Sequence, residues 1–160
     1  MPVAPKAERK ELGNFSSIVC FKAVVVGIEE ALGEKAAAIA LIAAGRQRGK
    51  HLAAELDLIN KSSEISLEEI TKKAANALGK EGTCLCAIHK IEQEGDTYTV
   101  YTRETVCSAG EPEGSKRQCT FTMGAIQGFL EAFLSKRLRG KQIKSVLRGD
   151  DYDVLEYTVY

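Results

Sequence analysis

The stretch that decides the fold is residues 107–140, CSAGEPEGSKRQCTFTMGAIQGFLEAFLSKRLRG. A polar loop with a cysteine at each end, Cys107 and Cys119, leads directly into an amphipathic run. That run predicts a helix from about Thr120 to Leu138, because its apolar residues recur at intervals of three and four. Four roles are open for the two cysteines: metal ligands, a redox pair, the wall of a pocket, or small apolar core residues.

The segments on either side of this helix have the patterns of β-strands. Residues 83–92 and 97–106 are rich in β-forming residues and are joined by QEGD, which indicates a hairpin. Residues 141–160 predict a second hairpin that turns at Gly149, Asp150 and Asp151. Short connections within each pair make the strands antiparallel. The C-terminal half therefore predicts a mainly four-stranded antiparallel sheet with one helix inserted between two hairpins.

The N-terminal half predicts three helices that pack on this sheet, which makes the fold class α+β. The first begins after an N-cap at Asn14 or Ser16 and ends near Gly33, and the second covers residues 34–58. The third is opened by a capping box, SLEE at 66–69, and ends at Gly79. Residues 1–13 read as a flexible tail, so a single domain is expected over residues 14–160.

Composition excludes several classes of partner. The chain has 160 residues, and 22 basic side chains balance 22 acidic ones, so no net field favours nucleic acid. The longest apolar run, residues 36–44, is far shorter than the roughly 20 residues that span a bilayer, so no transmembrane segment is expected. The N-terminus lacks the apolar region of a secretory signal. Five cysteines at unequal spacings do not indicate a disulfide framework, so we expect a cytoplasmic protein.

The same apolar run predicts self-association. Residues 36–44 are apolar on every face of their helix, and the domain has only four helices to cover them. A two-fold interface needs one self-complementary patch, which a smooth alanine-rich helix supplies. We therefore expect a homodimer whose contact comes mainly from the N-terminal helices.

The cysteines allow a metal site without requiring one. Alternation places Cys84 and Cys86 on one face of their predicted strand, so zinc could bind Cys84, Cys86, Cys107 and Cys119. However, C-x-C is not the usual spacing for a zinc knuckle, and buried cysteine often acts as a small apolar residue. We favour this second role, and we expect Cys107 and Cys119 to lie close together as reduced thiols. A helix N-terminus stabilises a thiolate, so Cys119 is expected to be the more reactive.

The predicted helix 120–138 carries an apolar face and a stripe of small residues. Phe121, Ile126, Phe129 and Phe133 belong to the face, and Gly124 and Gly128 to the stripe. Small residues either admit a neighbouring helix or leave room for a flat or elongated apolar ligand. No catalytic triad, carboxylate pair or phosphate loop is present in the sequence, so an enzyme is the least favoured function.

Two stretches of the sequence are similar to a known family: C-S-A-G-(x8)-C-T-F-T-M-G-A-I-Q-G-F-L and the closing R-G-D-D-Y-D-V-L-E-Y. Together they resemble the 4-vinyl-reductase, or hydrocarbon-binding, domain family, which is related to TRAPP-type tethering subunits and haem nitric-oxide-sensing domains. The match covers about residues 104–160. Ser145 and Asp153 stand where the family usually has two further cysteines, which weakens a shared metal site and strengthens a pocket.

The resemblance implies a binding module for a small hydrophobic ligand, lipid-like or tetrapyrrole-type, with a role in pigment-related metabolism. The expected ligand-binding residues are Cys107, Cys119, Phe121, Gly124, Ile126, Gly128, Phe129 and Phe133. The alternative is an assembly or scaffold protein that resembles tethering subunits, with the pocket filled by its own side chains. No cofactor is assigned, and zinc at the cysteines remains the less favoured option.

Overall fold

A computed structural model describes Glu11 and residues 18–160 of the chain. Apart from Glu11, the predicted tail at 1–13 and the candidate caps Asn14 and Ser16 lie outside the described residues. The described residues form helices α1 (Ile18–Leu32), α2 (Glu34–Glu55), α3 (Leu67–Leu78) and α4 (Thr120–Leu134), and strands β1 (Ala87–Glu94), β2 (Thr97–Arg103), β3 (Leu138–Lys144) and β4 (Asp153–Val159). The predicted α+β class is confirmed.

The four strands form one antiparallel sheet in the order β1-β2-β4-β3. Helix α4 is inserted between the two hairpins, as predicted. One detail of the sheet differs from strict alternation: Ile88 and Ile91 are both buried, although they are three residues apart. The register of β1 shifts between Ile88 and Lys90, and this bulge turns both isoleucines to the core.

Several boundaries differ from the sequence patterns. Helix α4 ends at Leu134 because Ser135 adopts a left-handed conformation, with φ of 51°, and its N–H donates to the carbonyl of Glu131. Leu138 therefore begins β3 and does not end the helix. Helix α2 ends at Glu55, and Asp57 beyond it has φ of 55°. In both α2 and α4 a left-handed residue lies within two positions after the helix end, which sequence periodicity does not reveal.

The predicted N-cap of α3 is present. The hydroxyl of Ser66 accepts a hydrogen bond from the backbone N–H of Glu69 at 3.2 Å, and the helix ends directly before Gly79. Its apolar side chains Ile70, Ala74 and Leu78 are buried, which fixes α3 against the rest of the core.

Helices α2 and α4 meet backbone to backbone. A Cβ atom added at Gly124 or Gly128 would overlap the carbonyl oxygen of Ile42 or Arg46, respectively, on α2. On the other side, a Cβ atom at Gly45 would overlap the carbonyl oxygen of Phe121 on α4. The four-residue spacing of glycines on both helices thus allows a contact that no larger residue would permit. Helix α4 is held between α2 and the sheet, and most of its side chains are buried.

Candidate functional site

The two cysteines of the predicted loop lie together in the core. Cys107 follows β2, and Cys119 is the N-cap residue of α4. Each residue is 1% exposed and both are free. The hydroxyl of Ser108, the residue after Cys107, lies 3.9 Å from the sulfur of Cys119, so the two ends of the loop are neighbours. The prediction that the ends of the loop meet is confirmed.

The surroundings of Cys107 favour a negative charge on its sulfur. Cys119 donates a hydrogen bond to this sulfur, and the backbone N–H of Thr122, in the first turn of α4, points at it as well. The Nζ atom of Lys22 donates to the carbonyl oxygen of Cys107 at 2.6 Å, and its charge also acts on the thiol. The hydrogen bond from Cys119 is the largest effect, and together these groups lower the pKa of Cys107 to about 7 although burial opposes them.

The surroundings of Cys119 have the opposite effect. Its hydrogen bond to Cys107 is the largest cause of a pKa well above the ordinary thiol value, followed by burial and by the charges of Cys107 and Asp153. These directions run against the expectation that Cys119 is the more reactive cysteine, which stays a prediction. A helix N-terminus does act on a thiol here, but the N–H of Thr122 acts on Cys107, whereas the Cys119 side chain makes no capping hydrogen bond.

A buried carboxylate completes the cluster. Asp153 opens β4 with no exposed surface, and its Oδ2 atom accepts hydrogen bonds from the hydroxyls of Thr105 at 2.9 Å and Ser108 at 2.8 Å. The same two hydroxyls lie 3.5 Å and 3.9 Å from the sulfur of Cys119. Oδ1 accepts from the backbone N–H of Val146 at 3.0 Å and the amide of Gln142 at 3.4 Å. These bonds tie the C-terminal hairpin to the two thiols.

Sequence reasoning named Asp153 only as a missing cysteine and did not single out Thr105. The weak signal for both was position: Asp153 stands where the related pattern has a cysteine, and Thr105 lies two residues before Cys107. A polar residue at a position expected to be buried indicates a hydrogen-bonded network, because an unpaired buried polar group is costly.

The other two cysteines are placed differently from the prediction. Strand β1 begins only at Ala87, so Cys84 and Cys86 precede it and do not share a strand face. Cys84 is exposed, with φ of 56°, whereas Cys86 is buried. Burial, followed by the charges of Cys107 and Asp153, raises the pKa of Cys86 to about 12. Within the part of the chain that the structure describes, no group of three or more His, Cys, Asp or Glu residues could hold a metal ion.

The apolar and glycine residues predicted for a ligand site fall into three groups. Ile126, Phe129 and Phe133 are buried in the core between α4 and the sheet. Phe121 is half-buried, and its ring lies edge-to-face with that of Phe21, with the centroids 4.8 Å apart. Gly124 and Gly128 contact the backbone of α2, which leaves no space for a ligand at those two positions.

Helix α1 is attached to the loop between the cysteines mainly by charges. Lys22 on α1 pairs with Glu111 at 2.8 Å, Glu111 pairs with Arg117 at 2.7 Å, and Arg117 returns to Glu29 on α1. These side chains are only 15–19% exposed. The hydrogen bond from Lys22 is the main reason why the pKa of Glu111 is lowered. We call this set of four side chains the α1 ion network.

A cavity of about 200 Å³ adjoins this network at the start of α4. It is lined by Glu29, Glu34, Lys35, Ala38, Lys116, Arg117, Gln118 and Thr120. The hydroxyl of Thr120 is buried and has no hydrogen-bond partner among the described residues. Three features therefore lie near the N-terminal end of α4: this cavity, the two buried thiols of Cys107 and Cys119, and the half-buried ring of Phe121.

Comparison with known proteins gives a shared fold without a family assignment. No protein-family profile matches the chain, and no curated protein sequence matches it. The phenol-responsive sensory domain of the transcription activator PoxR, solved with phenol, superposes with a TM-score of 0.67 at 13% identity over 91% of this chain and 76% of that one. Trafficking protein particle complex subunit 3 from Naegleria fowleri, covalently bound to palmitic acid, superposes with a TM-score of 0.56 at 16% identity over 89% of this chain and 92% of that one. In the described part of this chain, no helix is long and apolar enough to cross a membrane.

Proposed function

We propose that this domain is a binding module for a small hydrophobic ligand, of the hydrocarbon-binding, 4-vinyl-reductase type. The observation that carries the proposal is the fold that it shares, along about nine-tenths of its length, with the PoxR sensory domain and the trafficking subunit. One of those structures contains phenol and the other contains palmitic acid. Both ligands are largely apolar, and a lipid-like or tetrapyrrole-type molecule belongs to the same class.

The proposed site lies where α1 covers the N-terminal end of α4. The pocket that we propose would have Phe121, Cys107 and Cys119 at its mouth and Ile126, Phe129 and Phe133 as its inner wall. None of these residues lines the cavity beside Thr120, and both cysteines are 1% exposed, so the pocket would extend inward from that cavity when α1 moves. Gly124 and Gly128, which the sequence suggested as ligand-binding residues, are left out of the proposed site because the backbone of α2 occupies the space beside them. The α1 ion network makes it easier for α1 to move away from α4 at this point. When its ion pairs separate, water can solvate the charged side chains, whereas exposed apolar core groups gain no such compensation.

The volume of the cavity beside Thr120 limits which ligands can bind without movement of the protein. The cavity beside Thr120 measures about 200 Å³, below the range of about 300–1,000 Å³ that is usual for drug-sized ligands. A phenol-sized molecule fits this volume with little movement. A fatty acid or a tetrapyrrole requires α1 to move away from α4, so we expect larger ligands to bind only with displacement of α1.

The test is mass spectrometry of the purified protein under native and denaturing conditions, followed by calorimetric titration with phenol and with palmitic acid. We expect a co-purified apolar molecule or binding of at least one probe. Phe121→Trp fills the mouth and should weaken binding about tenfold, since steric blocking of an apolar pocket removes about 1–2 kcal/mol of contact. Ile143→Trp is the matched control at an exposed position of β3 and should leave binding unchanged. Absence of a bound molecule together with no response to either probe would refute the proposal.

The scaffold alternative is favoured by a separate observation. Val24 and Leu32 on α1 and Ile39 on α2 are exposed by 55%, 57% and 73%. The occupant that we propose for this surface is a second copy of the chain, because the helices are alanine-rich and the net charge of zero offers no repulsion. Light scattering should show a dimer that Ile39→Glu converts to a monomer, and a wild-type monomer at high micromolar concentration would contradict it. Cytoplasmic location and a pigment-related role remain expectations from the sequence.

A further inference from the structure

A second cavity, of about 620 Å³, lies at the C-terminal end of α4, away from the site proposed above. Helix α2, the turn between α4 and β3, and the residue after β4 contribute to its wall. Four of the residues that line it are basic and one, Glu131, is acidic, so the lining has three positive charges in excess in a chain of zero net charge. The lining residues are Arg46, Lys50, Ile59, Glu131, Ala132, Ser135, Lys136, Arg137 and Tyr160.

The carboxylate of Glu131 is already paired with one of these cations. It is buried and accepts hydrogen bonds from the guanidinium of Arg46 at 3.0 and 3.1 Å. These two bonds hold Arg46 at the wall of the cavity. The side chains of Lys50, Lys136 and Arg137 are exposed, and among the described residues they have no hydrogen-bond or ion-pair partner. The lining therefore contains three cations that no carboxylate of the lining neutralises.

The end of α4 accounts for only part of this charge. Basic residues that follow a helix interact with the negative end of its dipole, which is a sufficient reason for Lys136 and Arg137 to lie there. Lys50 comes from a different helix, α2. The carbonyl of Ala132, in the last turn of α4, already accepts a hydrogen bond from the backbone N–H of Asn60 at 2.9 Å. Cations from two separate parts of the chain thus meet at one cavity.

We propose that this cavity binds a small molecule that carries a phosphate or diphosphate group. A phosphate monoester has a charge of about −1.5 to −2 at pH 7, and a diphosphate has more, whereas a single carboxylate leaves most of the positive charge uncompensated. The planar guanidinium of Arg137 can donate two hydrogen bonds to phosphate oxygens, and Lys50 and Lys136 add compact positive charges.

The size of the cavity and its other residues indicate that the phosphate is attached to an organic group. A volume of about 620 Å³ lies within the range of about 300–1,000 Å³ that is usual for small-molecule sites. Ile59 and Tyr160, exposed by 53% and 62%, give the wall an apolar and an aromatic surface. Soluble phosphate esters and phospholipid head groups share this chemistry. The inference does not depend on the hydrophobic ligand proposed for the other end of α4.

The test is calorimetric titration of the full chain with inorganic pyrophosphate, with ADP, and with vesicles of phosphatidylcholine and phosphatidic acid in equal amounts. We expect both soluble probes to bind. Their affinity should fall severalfold when the salt concentration rises from about 50 mM to about 200 mM, because exposed charges are screened. Binding to the vesicles without binding of either soluble probe would assign the phosphate to a lipid head group. No binding of any of the three probes would overturn the proposal.

Two double variants test whether the cavity is the site. Lys50→Glu with Lys136→Glu reverses two unpaired charges of the lining and should weaken binding about tenfold or more. Lys73→Glu with Lys144→Glu is the matched control, because both lysines are exposed, lie outside this lining and give the same change in net charge. The control should bind as the wild type does, and equal losses in the two variants would overturn the proposal. The titrations of the wild type hold even if a variant fails to fold.

Discussion

Helix α4 is covered in two contrasting ways, and the contrast locates function. Along its middle, Gly124 and Gly128 bring the backbone of α4 against that of α2, so any added atom forces the helices apart. At its N-terminal end, α1 is held by the α1 ion network and by the ring contact between Phe21 and Phe121. The contact between α2 and α4 has no side chains that could rearrange while the backbones separate. At the contact between α1 and α4, by contrast, water can replace the partners of the charged side chains when α1 moves away. The glycine interface therefore acts as the frame, and the end covered by α1 is where we place binding.

The largest expected effect is a break in the glycine interface. Gly124→Ala places a methyl group against the carbonyl of Ile42, and overpacking of this kind usually destabilises by about 1–3 kcal/mol or more. We expect a loss of about 3 kcal/mol in the free energy of unfolding, measured by urea denaturation. Gly27→Ala is the control, because nothing lies within 4 Å of a Cβ at that position of α1. It should be neutral or stabilise by up to about 1 kcal/mol. Equal effects of the two substitutions would remove the distinction between the interfaces.

The second effect concerns the carboxylate that joins the hairpin to the thiols. Asp153→Ala leaves the hydroxyls of Thr105 and Ser108 and the N–H of Val146 without their acceptor. The two hydroxyls keep the sulfur of Cys119 as a neighbour at 3.5 and 3.9 Å, so the N–H of Val146 carries most of the cost. Because a buried unsatisfied donor costs about 1–3 kcal/mol, we expect a loss of about 2–3 kcal/mol in the free energy of unfolding. Asp151→Ala, two residues away and exposed, should change stability by less than about 0.5 kcal/mol. A stable Asp153→Ala protein would show that the network does not hold the C-terminal hairpin.

A smaller effect is expected at the α1 ion network, and it tests whether α1 opens separately from the rest of the core. Arg117→Ala removes the side chain that joins Glu111 to Glu29, so α1 should open more often while the core stays intact. Amide hydrogen exchange should be about five- to tenfold faster in α1 only, which corresponds to about 1 kcal/mol for a pair that is partly shielded from water. Lys72→Ala breaks an exposed pair with Glu68 and should have almost no effect on α1. Faster exchange throughout the molecule in Arg117→Ala would mean that α1 does not open separately.

The smallest effect is a pH dependence from Cys86, which lies near the thiol pair. Its pKa in the folded protein is raised to about 12 from an ordinary value of 9.0. Below pH 9 the thiol is neutral in both states and costs no stability. Above pH 9 only the unfolded chain loses this proton, so the free energy of unfolding falls as the pH rises toward 12. Relative to Cys86→Ser, the wild type should lose about 1 kcal/mol between pH 9 and pH 10, as linkage requires. Denaturation curves at both pH values measure this difference, and parallel changes in the two proteins would contradict the burial of this thiol.

Sequence patterns predicted the elements better than they predicted the site. The two hairpins and the helix between them follow from local periodicity and turn residues. The meeting of Cys107 with Cys119 follows from a loop that leaves the end of β2 and returns to the start of α4, which packs on the same sheet. Which thiol has the lower pKa depends on the interactions that Cys107 makes with Cys119 and Thr122, and no spacing contains that information. The glycines at 45 and 49 repeat the spacing of those at 124 and 128, but only the fold shows that the two stripes face each other.

The most direct test of the central claim is amide hydrogen exchange with and without a bound ligand, with phenol and palmitic acid as probes. We predict that exchange slows in α1 and in residues 108–118, which cover the N-terminal end of α4. We also predict that exchange across the contact between α2 and α4 stays unchanged, because that interface does not open. Protection confined to α2 and the middle of α4, with no change in α1 or the loop, would contradict this prediction.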